Sequence, residues 1–410
     1  MKKIIKFLVV AAAVAELFLS AVLGTADYFT PNSYTVTQGG KLEWLSGAFT
    51  VVGDTGSNVY ASCGTPLPKA YKGTLMLYNY IPVKSVNVNV VDKTCVIPCG
   101  TPFGIKLYAN GVVIVGFNDV DTISGAVNPA KDAGLEVGDV ISTVNGKTVV
   151  TNDELASELE NCEGKDVALN VKRDKNSFSV LLHPVQSEAD NTYKAGLWVR
   201  DSTAGIGTLT FYNPYTKGFA GLGHGICDSD TQELMPLLSG QIVPVTINGV
   251  TKGQSGSPGE LRGYFTSDKT IGDLTANVQD GVYGSFNYRP EGTAIKVSMK
   301  QDVKTGPVKI LTTIDGDKPS YYDAYIEKID YRDSVKSKNI VLHITDQKLL
   351  TQTGGIVQGM SGSPIIQNNM LIGAVTHVFI NDPTRGYGIF AENMLTESQS
   401  VGSYVNSKAS

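Results

Sequence analysis

GMSGSPIIQNNMLIGAVTHVF, residues 359–379, decides how the second half of this chain is read. Ser361 stands on a short turn between Gly359 and Gly362 that Pro364 closes. Ile365-Ile366 begin an apolar strand, Asn368-Asn369 turn the chain, and Leu371 to Phe379 return as a second strand. A nucleophilic serine needs this setting: a hydroxyl on a tight turn, small neighbours, and backbone N–H groups aimed at a developing oxyanion. A near copy, GQSGSP at 253–258, places Ser255 in the same local frame. There, however, Gly259-Glu260 replace the apolar pair and no matching return strand follows. Ser361 is the candidate nucleophile, and 253–258 reads as a structural turn. Neither copy has Gly two residues after its serine, which excludes the GxSxG elbow.

Working outward, the pattern resembles trypsin-like enzymes, in which a hairpin after GxSGxP ends in a hydroxyl residue fifteen positions past the nucleophile. Thr376 holds that place after Ser361. Thr376 and His377 are expected to line the substrate wall, and the N–H groups of Gly359 and Ser361 to form the oxyanion hole. Trypsins carry an Asp before the nucleophile that pairs with a freed N-terminus. Met360 cannot form that pair, so activation is expected not to use a buried amine. Of four histidines, His183 and His343 sit in strand contexts away from any nucleophile, and His377 adjoins Thr376. His224, between glycines in GFAGLGHGICD, keeps the His-before-Ser order and is the candidate base. Asp346 lies between base and nucleophile, but spacing alone does not choose it over Asp228, Asp315 or Asp330.

From 194 to about 405 the chain is a run of short strands split by Gly, Asn-Gly and Asp-Gly turns, which suits a β-barrel or double-barrel unit. Before it, NPAKDAGLEVGDVISTVNGKTV (128–149), a helix from about Thr151 to Cys162 and two strands resemble a PDZ domain over 99–186. Thr151 and Glu154 have capping-box spacing, and Leu155, Leu159 and Cys162 share a face. That resemblance places Pro102, Phe103, Gly104 and Ile105 where PDZ domains cradle a peptide carboxylate. A peptide would add as a strand beside Ile105–Tyr108, unless the domain only braces its neighbour. SEADNT, with 187–193, reads as a linker.

The N-terminus begins MKKIIK and continues as an apolar run to Gly24, which reads as a signal peptide or membrane anchor over 1–24. Everything after it is then expected outside the cytoplasm. Residues 25–98 read as short strands or an extended spacer. Net charge is −5 with no basic block past the start, so nucleic acid is not an expected partner. Five cysteines leave at least one unpaired; Cys95 and Cys99 can bridge each other or pair with Cys63. No Cys/His cluster suggests a metal, and no cofactor is expected.

AGLWVRDSTAGIGTLTFYNP (195–214), GLGHGICD, GSPGE and TGGIVQGMSGSPIIQNNMLIGAVTHVFINDP together resemble the stage IV sporulation protein B peptidases. The implied fold is mainly β: a PDZ domain, then a trypsin/chymotrypsin-like β-barrel serine peptidase domain over 194–405. The resemblance implies a triad of His224, Asp346 and Ser361, and it is what selects Asp346. It further implies an endopeptidase exported from the forespore into the space between its membranes. There such enzymes cleave themselves and a membrane regulatory protein that holds an intramembrane metalloprotease complex inactive, releasing a sigma factor. The competing reading is a catalytically inactive secreted PDZ scaffold.

Overall fold

The structure, a computed structural model, describes residues 2–37, 42–44, 47–53 and 70–408. An open sheet of its strands would leave unpaired edges; closure removes those edges. Two antiparallel barrels result. In the first, the opening half of Pro102–Phe117 lies between Leu197–Tyr212 and Leu237–Thr251. Leu197–Tyr212 then pairs with Gly218–Gly221, which pairs with Gly281–Phe286. Gly272–Val278 closes the ring between Gly281–Phe286 and Leu237–Thr251. Phe103, Ile105, Leu107, Phe219 and Val282 fill the interior.

The second barrel runs through Gly306–Thr312, Ser320–Ile329, Ile340–Ile344, Asp382–Phe390, Met370–Phe379 and Pro364–Gln367, back to Gly306–Thr312. The hairpin read from 359–379 is present, with Asn368 and Asn369 both in the left-handed conformation that its turn needs. The C-terminal helix Ala391–Lys408 packs on strands of both barrels. Their shared seam holds the candidate site.

The PDZ unit does not precede the barrels but interrupts the first of them. Pro102–Phe117 starts inside the barrel and ends inside the PDZ unit, and Leu197–Tyr212 makes the return journey. The remaining PDZ strands and the helix Asn152–Glu160 lie between these two crossings. The expected start of the peptidase region at 194 is therefore corrected: 102–109 belong to its first barrel. The helix is as read, with the Thr151/Glu154 capping box formed and Leu155, Leu159 and Cys162 buried.

The expected carboxylate cradle at Pro102–Ile105 is also corrected. These residues are paired on both edges, Phe103 with Gly207 and Pro244, so no edge is open to a peptide. Gly104 is small because a Cβ there would lie 2.7 Å from both Phe265 and Val243. The glycine serves barrel packing.

Towards the N-terminus, Lys2–Phe29 forms one helix, longer than the 1–24 segment read from sequence. Residues Ile4–Phe29 are predominantly apolar and their most apolar stretch is unburied. The C-terminal end meets the folded part, where Ala26 packs on the following sheet and Arg332 donates to the Tyr28 hydroxyl. At about 1.5 Å per residue the helix is long enough to cross a bilayer. A five-stranded sheet between Ser33 and Val91 follows, so the described residues of 25–98 form strands and not an extended spacer. It docks on the second barrel through Asp333, whose carboxylate accepts from the Asn32 and Ser33 amides and pairs with Lys300 at 2.5 Å. Thr35 donates its hydroxyl to buried Glu392, and Trp44 meets Tyr331 edge-on at 5.1 Å. Cys63 lies outside the described residues. Cys95 and Cys99 are free thiols and do not bridge each other. Burial pushes the Cys99 thiol up to about 12, so it stays protonated.

Candidate active site

Ser361 and His224 approach from opposite barrels. The 359–363 turn is held by the first barrel: Thr208 donates its hydroxyl to the Gly359 carbonyl at 2.7 Å and its amide to the Ser361 carbonyl at 3.0 Å. Ser361 donates its own hydroxyl to the Thr376 carbonyl at 2.6 Å. Among the described residues the N–H groups of Gly359 and Ser361 donate to no partner, as an oxyanion hole in wait requires. Met360 is fully buried in the second barrel's core.

His224 leaves the end of Gly218–Gly221 between two glycines that have no room for a side chain. A Cβ on Gly223 would lie 2.9 Å from the Thr376 methyl, and one on Gly225 would lie 2.7 Å from the Val278 carbonyl. Close approach on both sides seats the loop that carries His224 against Thr376, the residue whose carbonyl Ser361 touches. His224 Nδ1 lies 2.9 Å from the Gly225 carbonyl. A carbonyl only accepts, so Nδ1 carries the proton and Nε2 keeps its lone pair free to act as a base. Burial holds the imidazole below its ordinary value, only partly offset by the Gly225 carbonyl, so it is neutral at pH 7.

His377 is the second imidazole here, with its ring centre 5.0 Å from that of His224. Burial pushes it down to about 4, with the neighbouring His224 and Lys338 adding to the effect, and its Nδ1 is buried without a partner. Thr376 departs from the expected substrate wall. Its side chain is buried and donates to the Ser337 carbonyl at 2.8 Å; it contributes its main-chain carbonyl. An open cavity of about 710 Å³ adjoins Gly359, walled by Ile206, Leu261, Tyr264, Phe265 and Gln358. Sequence reading missed these residues, which come from three separate segments.

Asp346 is not with the other two. Its carboxylate accepts from the Leu349 amide at 3.0 Å and the Asp323 amide at 3.3 Å, capping the helix Gln347–Thr353. Neither His224 nor His377 has it among its charged neighbours. Asp346 ends a strand of the second barrel and opens a helix there, whereas His224 is carried by the first barrel. Asp346→Ala is expected to lower stability by about 1 kcal/mol through the lost cap and to leave kcat within about twofold. Thermal melts and peptide hydrolysis check both halves. Asp228 is bound to Arg200 at 2.6 Å and Asp330 to Arg332, so neither is free to orient a base. Ser255 donates to the Asn381 carbonyl at 2.9 Å in an exposed turn.

In the PDZ unit, a cavity of about 430 Å³ lies between the helix and 193–199, lined by Leu155, Ala156, Leu159, Gly196, Leu197 and Trp198. This is the strand-and-helix groove that 102–105 does not provide.

Two barrels meeting at a serine, an imidazole and a pair of free amides define a double-barrel serine peptidase. The profile of the SpoIVB peptidase S55 family matches residues 191–395, half of the chain, and a PDZ profile matches 107–182. The chain belongs to the SpoIVB peptidase S55 family, and it is a serine endopeptidase with a PDZ domain. Among solved structures, it is similar to the Rv3671c protease of M. tuberculosis in its active form. The two are 16% identical with a TM-score of 0.31, over 49% of this chain and 75% of that one. The PDZ domain of an SdrC-like protein from Listeria monocytogenes is 20% identical with a TM-score of 0.18, over 22% and 87%. A Lactococcus lactis protein named "Putative zinc metalloprotease LL2128" is 30% identical over 95 residues, 23% of this chain. The chain spans about a fifth of that relative's length.

Proposed function

We propose that His224 and Ser361 carry out the peptide hydrolysis and that Gly359 and Ser361 supply the oxyanion hole. Ser361 gives its proton to His224 Nε2 as Oγ bonds to the scissile carbonyl carbon. The resulting oxyanion lies against the two free N–H groups. Collapse breaks the C–N bond, and the proton on Nε2 passes to the leaving amine. Water, deprotonated by the same nitrogen, then frees the acyl group and restores Ser361. The observation that carries the reading is that Ser361 and the loop carrying His224 approach the Thr376–His377 segment from different barrels. The cavity beside Gly359 favours substrates with apolar side chains next to the cut bond, given its Ile206, Leu261 and Phe265 walls.

The physiological role is proposed from family membership and the apolar helix together. The enzyme is exported from the forespore, held at the membrane by Lys2–Phe29 or released from it. It cleaves itself, and it cleaves a membrane regulatory protein of an intramembrane metalloprotease complex during sporulation signalling. The PDZ groove at 193–199 takes an extended peptide as an added strand, with Leu155 and Leu159 facing its side chains.

Full-length Ser361→Ala protein is an uncut substrate for testing self-cleavage. Added to wild type, it is expected to be cut at a discrete bond that N-terminal sequencing identifies. A substrate left intact by wild type that still hydrolyses an added peptide would contradict self-cleavage.

A further inference from the structure

Leu197–Tyr212 is one strand that runs from the PDZ groove to the serine turn. One of its edges is covered along its length: residues between Leu197 and Thr208 pair with Pro102–Phe117, and Phe211 and Tyr212 with Cys95–Pro98. The other edge pairs with Gly218–Gly221 only from Leu209 onward. Among the described residues no strand adds to that second edge between Leu197 and Gly207. Where it ends, the Thr208 amide donates to the Ser361 carbonyl at 3.0 Å and the Thr208 carbonyl accepts from the Leu222 amide at 3.3 Å. Leu209, by contrast, bonds to Thr101 and Gly100 on the covered side. Successive residues of an antiparallel strand turn their N–H and C=O groups to alternate sides. Ile206 and Ala204 therefore present theirs outward with Thr208, beside the cavity at Gly359 that both residues line. A Cβ on Gly205 would meet nothing within 4 Å, so the approach is open.

The start of the same strand lies in the PDZ groove, against Leu155 and Leu159, with Trp198 63% exposed beside them. Gly196 takes a left-handed φ of 76° less one degree of turn, at 75°, and among the described residues the amides of Ala195 and Gly196 donate to no partner. Two adjacent N–H groups of this kind suit a carboxylate. Asn152 stands at the groove's other end, where its amide donates to the Asp201 carboxylate at 2.9 Å. Its side-chain Oδ1 is buried without a partner, an arrangement that costs free energy unless an occupant donates to it.

We propose that this single strand edge is a ruler that sets where a substrate is cut. The C-terminal tail of the substrate lies along it as an added strand, with its carboxylate on the Ala195 and Gly196 amides and its last side chain against Leu155 and Leu159. Followed back towards its own N-terminus, the tail passes Asn152, runs antiparallel to Leu197–Tyr212 past Ala204 and Ile206, and reaches Ser361. The residues on the edge are therefore those after the cut bond. At about 3.3 Å per residue the strand from Gly196 to Thr208 spans about 40 Å, so the favoured cut falls about ten to twelve residues before the substrate's C-terminus. The proposal rests on Ser361 being the nucleophile and on the groove at 193–199 taking a peptide.

The test digests a mixed-sequence library of peptides longer than the ruler, with free C-terminal carboxylates, using the full-length protein. Mass spectrometry maps each cut relative to the C-terminus. Cuts lost in Ser361→Ala establish the peptidase reading independently, and binding of the same peptides to Ser361→Ala, followed by fluorescence anisotropy, reports on the groove. The cuts are expected to cluster about ten to twelve residues from the C-terminus. Amidating the C-termini should reduce cutting at that distance by about tenfold to a hundredfold, as loss of a charge-assisted hydrogen bond implies. Lengthening one cut peptide at its C-terminus should move the cut downstream by the residues added. Ala204→Pro removes an outward N–H and leaves the bonds to the covered edge in place, so it should disperse the cuts and slow them on long peptides by about tenfold. The amidation and lengthening arms do not depend on that variant folding. Ser361-dependent cuts that follow local sequence, stay at the same bond when the tail is lengthened and ignore amidation would overturn the ruler alone. An absence of Ser361-dependent cuts would overturn the peptidase reading with it.

Discussion

Ser361→Ala is expected to lower kcat by about a millionfold, while Ser255→Ala leaves it within about twofold. The two serines share a sequence frame, so the contrast isolates their surroundings. Ser361 lies with free N–H groups on either side of Met360 and an imidazole delivered by the other barrel. Removing its oxygen removes the only atom placed to bond the substrate carbon, leaving the oxyanion donors and binding alone. Ser255 spends its hydroxyl on the Asn381 carbonyl in an exposed turn. Folding should survive both changes, since losing one hydrogen bond to a carbonyl costs about 1 kcal/mol. Steady-state hydrolysis of a peptide spanning the self-cleavage bond is the measurement. A Ser255→Ala enzyme that is dead while Ser361→Ala is active would reverse the assignment.

The second large effect separates the two imidazoles. His224→Ala is expected to match Ser361→Ala within about tenfold, because members of a proton relay fail as a unit. His377→Ala should reduce kcat by no more than about tenfold. The Ser361 hydroxyl is bonded to the Thr376 carbonyl, and the His377 Nδ1 is buried without a partner. The pH dependence carries the same distinction. The base must be unprotonated, and burial lowers the His224 value from 6.5. In the free enzyme His224 therefore remains competent as pH falls past 6.5, so the acid limb of kcat/KM should lie below that point. Replacing His377, already neutral down to about pH 4, should leave that limb in place. An acid limb that moves in His377→Ala but not in a slow His224 variant would exchange their roles.

How much of this was legible in the chain varied with the range of the interaction. The hairpin after Ser361, the Thr151/Glu154 capping box and the apolar helix are local, and each was readable from spacing. The alternation of short strands and turns pointed to barrels for the same reason. What was not legible depends on contacts across hundreds of residues. Nothing near Pro102 says that its strand pairs with Leu197–Tyr212 and Leu237–Thr251, so its Gly104 passed for a carboxylate cradle instead of a seat for Phe265. Asp346 keeps the expected chain order, but order does not report which barrel end a strand leaves by, and it caps a helix. Thr376 had the right position and the wrong group: its carbonyl faces Ser361, and its hydroxyl faces Ser337.

The fold explains why these residues meet. The first barrel carries His224, the second carries Ser361, and Thr208 and Thr210 tie the serine turn to the opposite barrel through the Gly359 and Gly362 carbonyls. The PDZ unit is spliced into the barrel that holds His224 through two continuous strands. A peptide added at 193–199 therefore lies on the same strand system that leads to Thr208.

Labelling the intact protein with a fluorophosphonate and mapping the modified peptide by mass spectrometry tests the central claim most directly. The account predicts one phosphonylated residue, Ser361, with labelling abolished in Ser361→Ala and greatly slowed in His224→Ala. Labelling confined to Ser255, or none on a folded wild-type protein that cleaves its substrate, would contradict it.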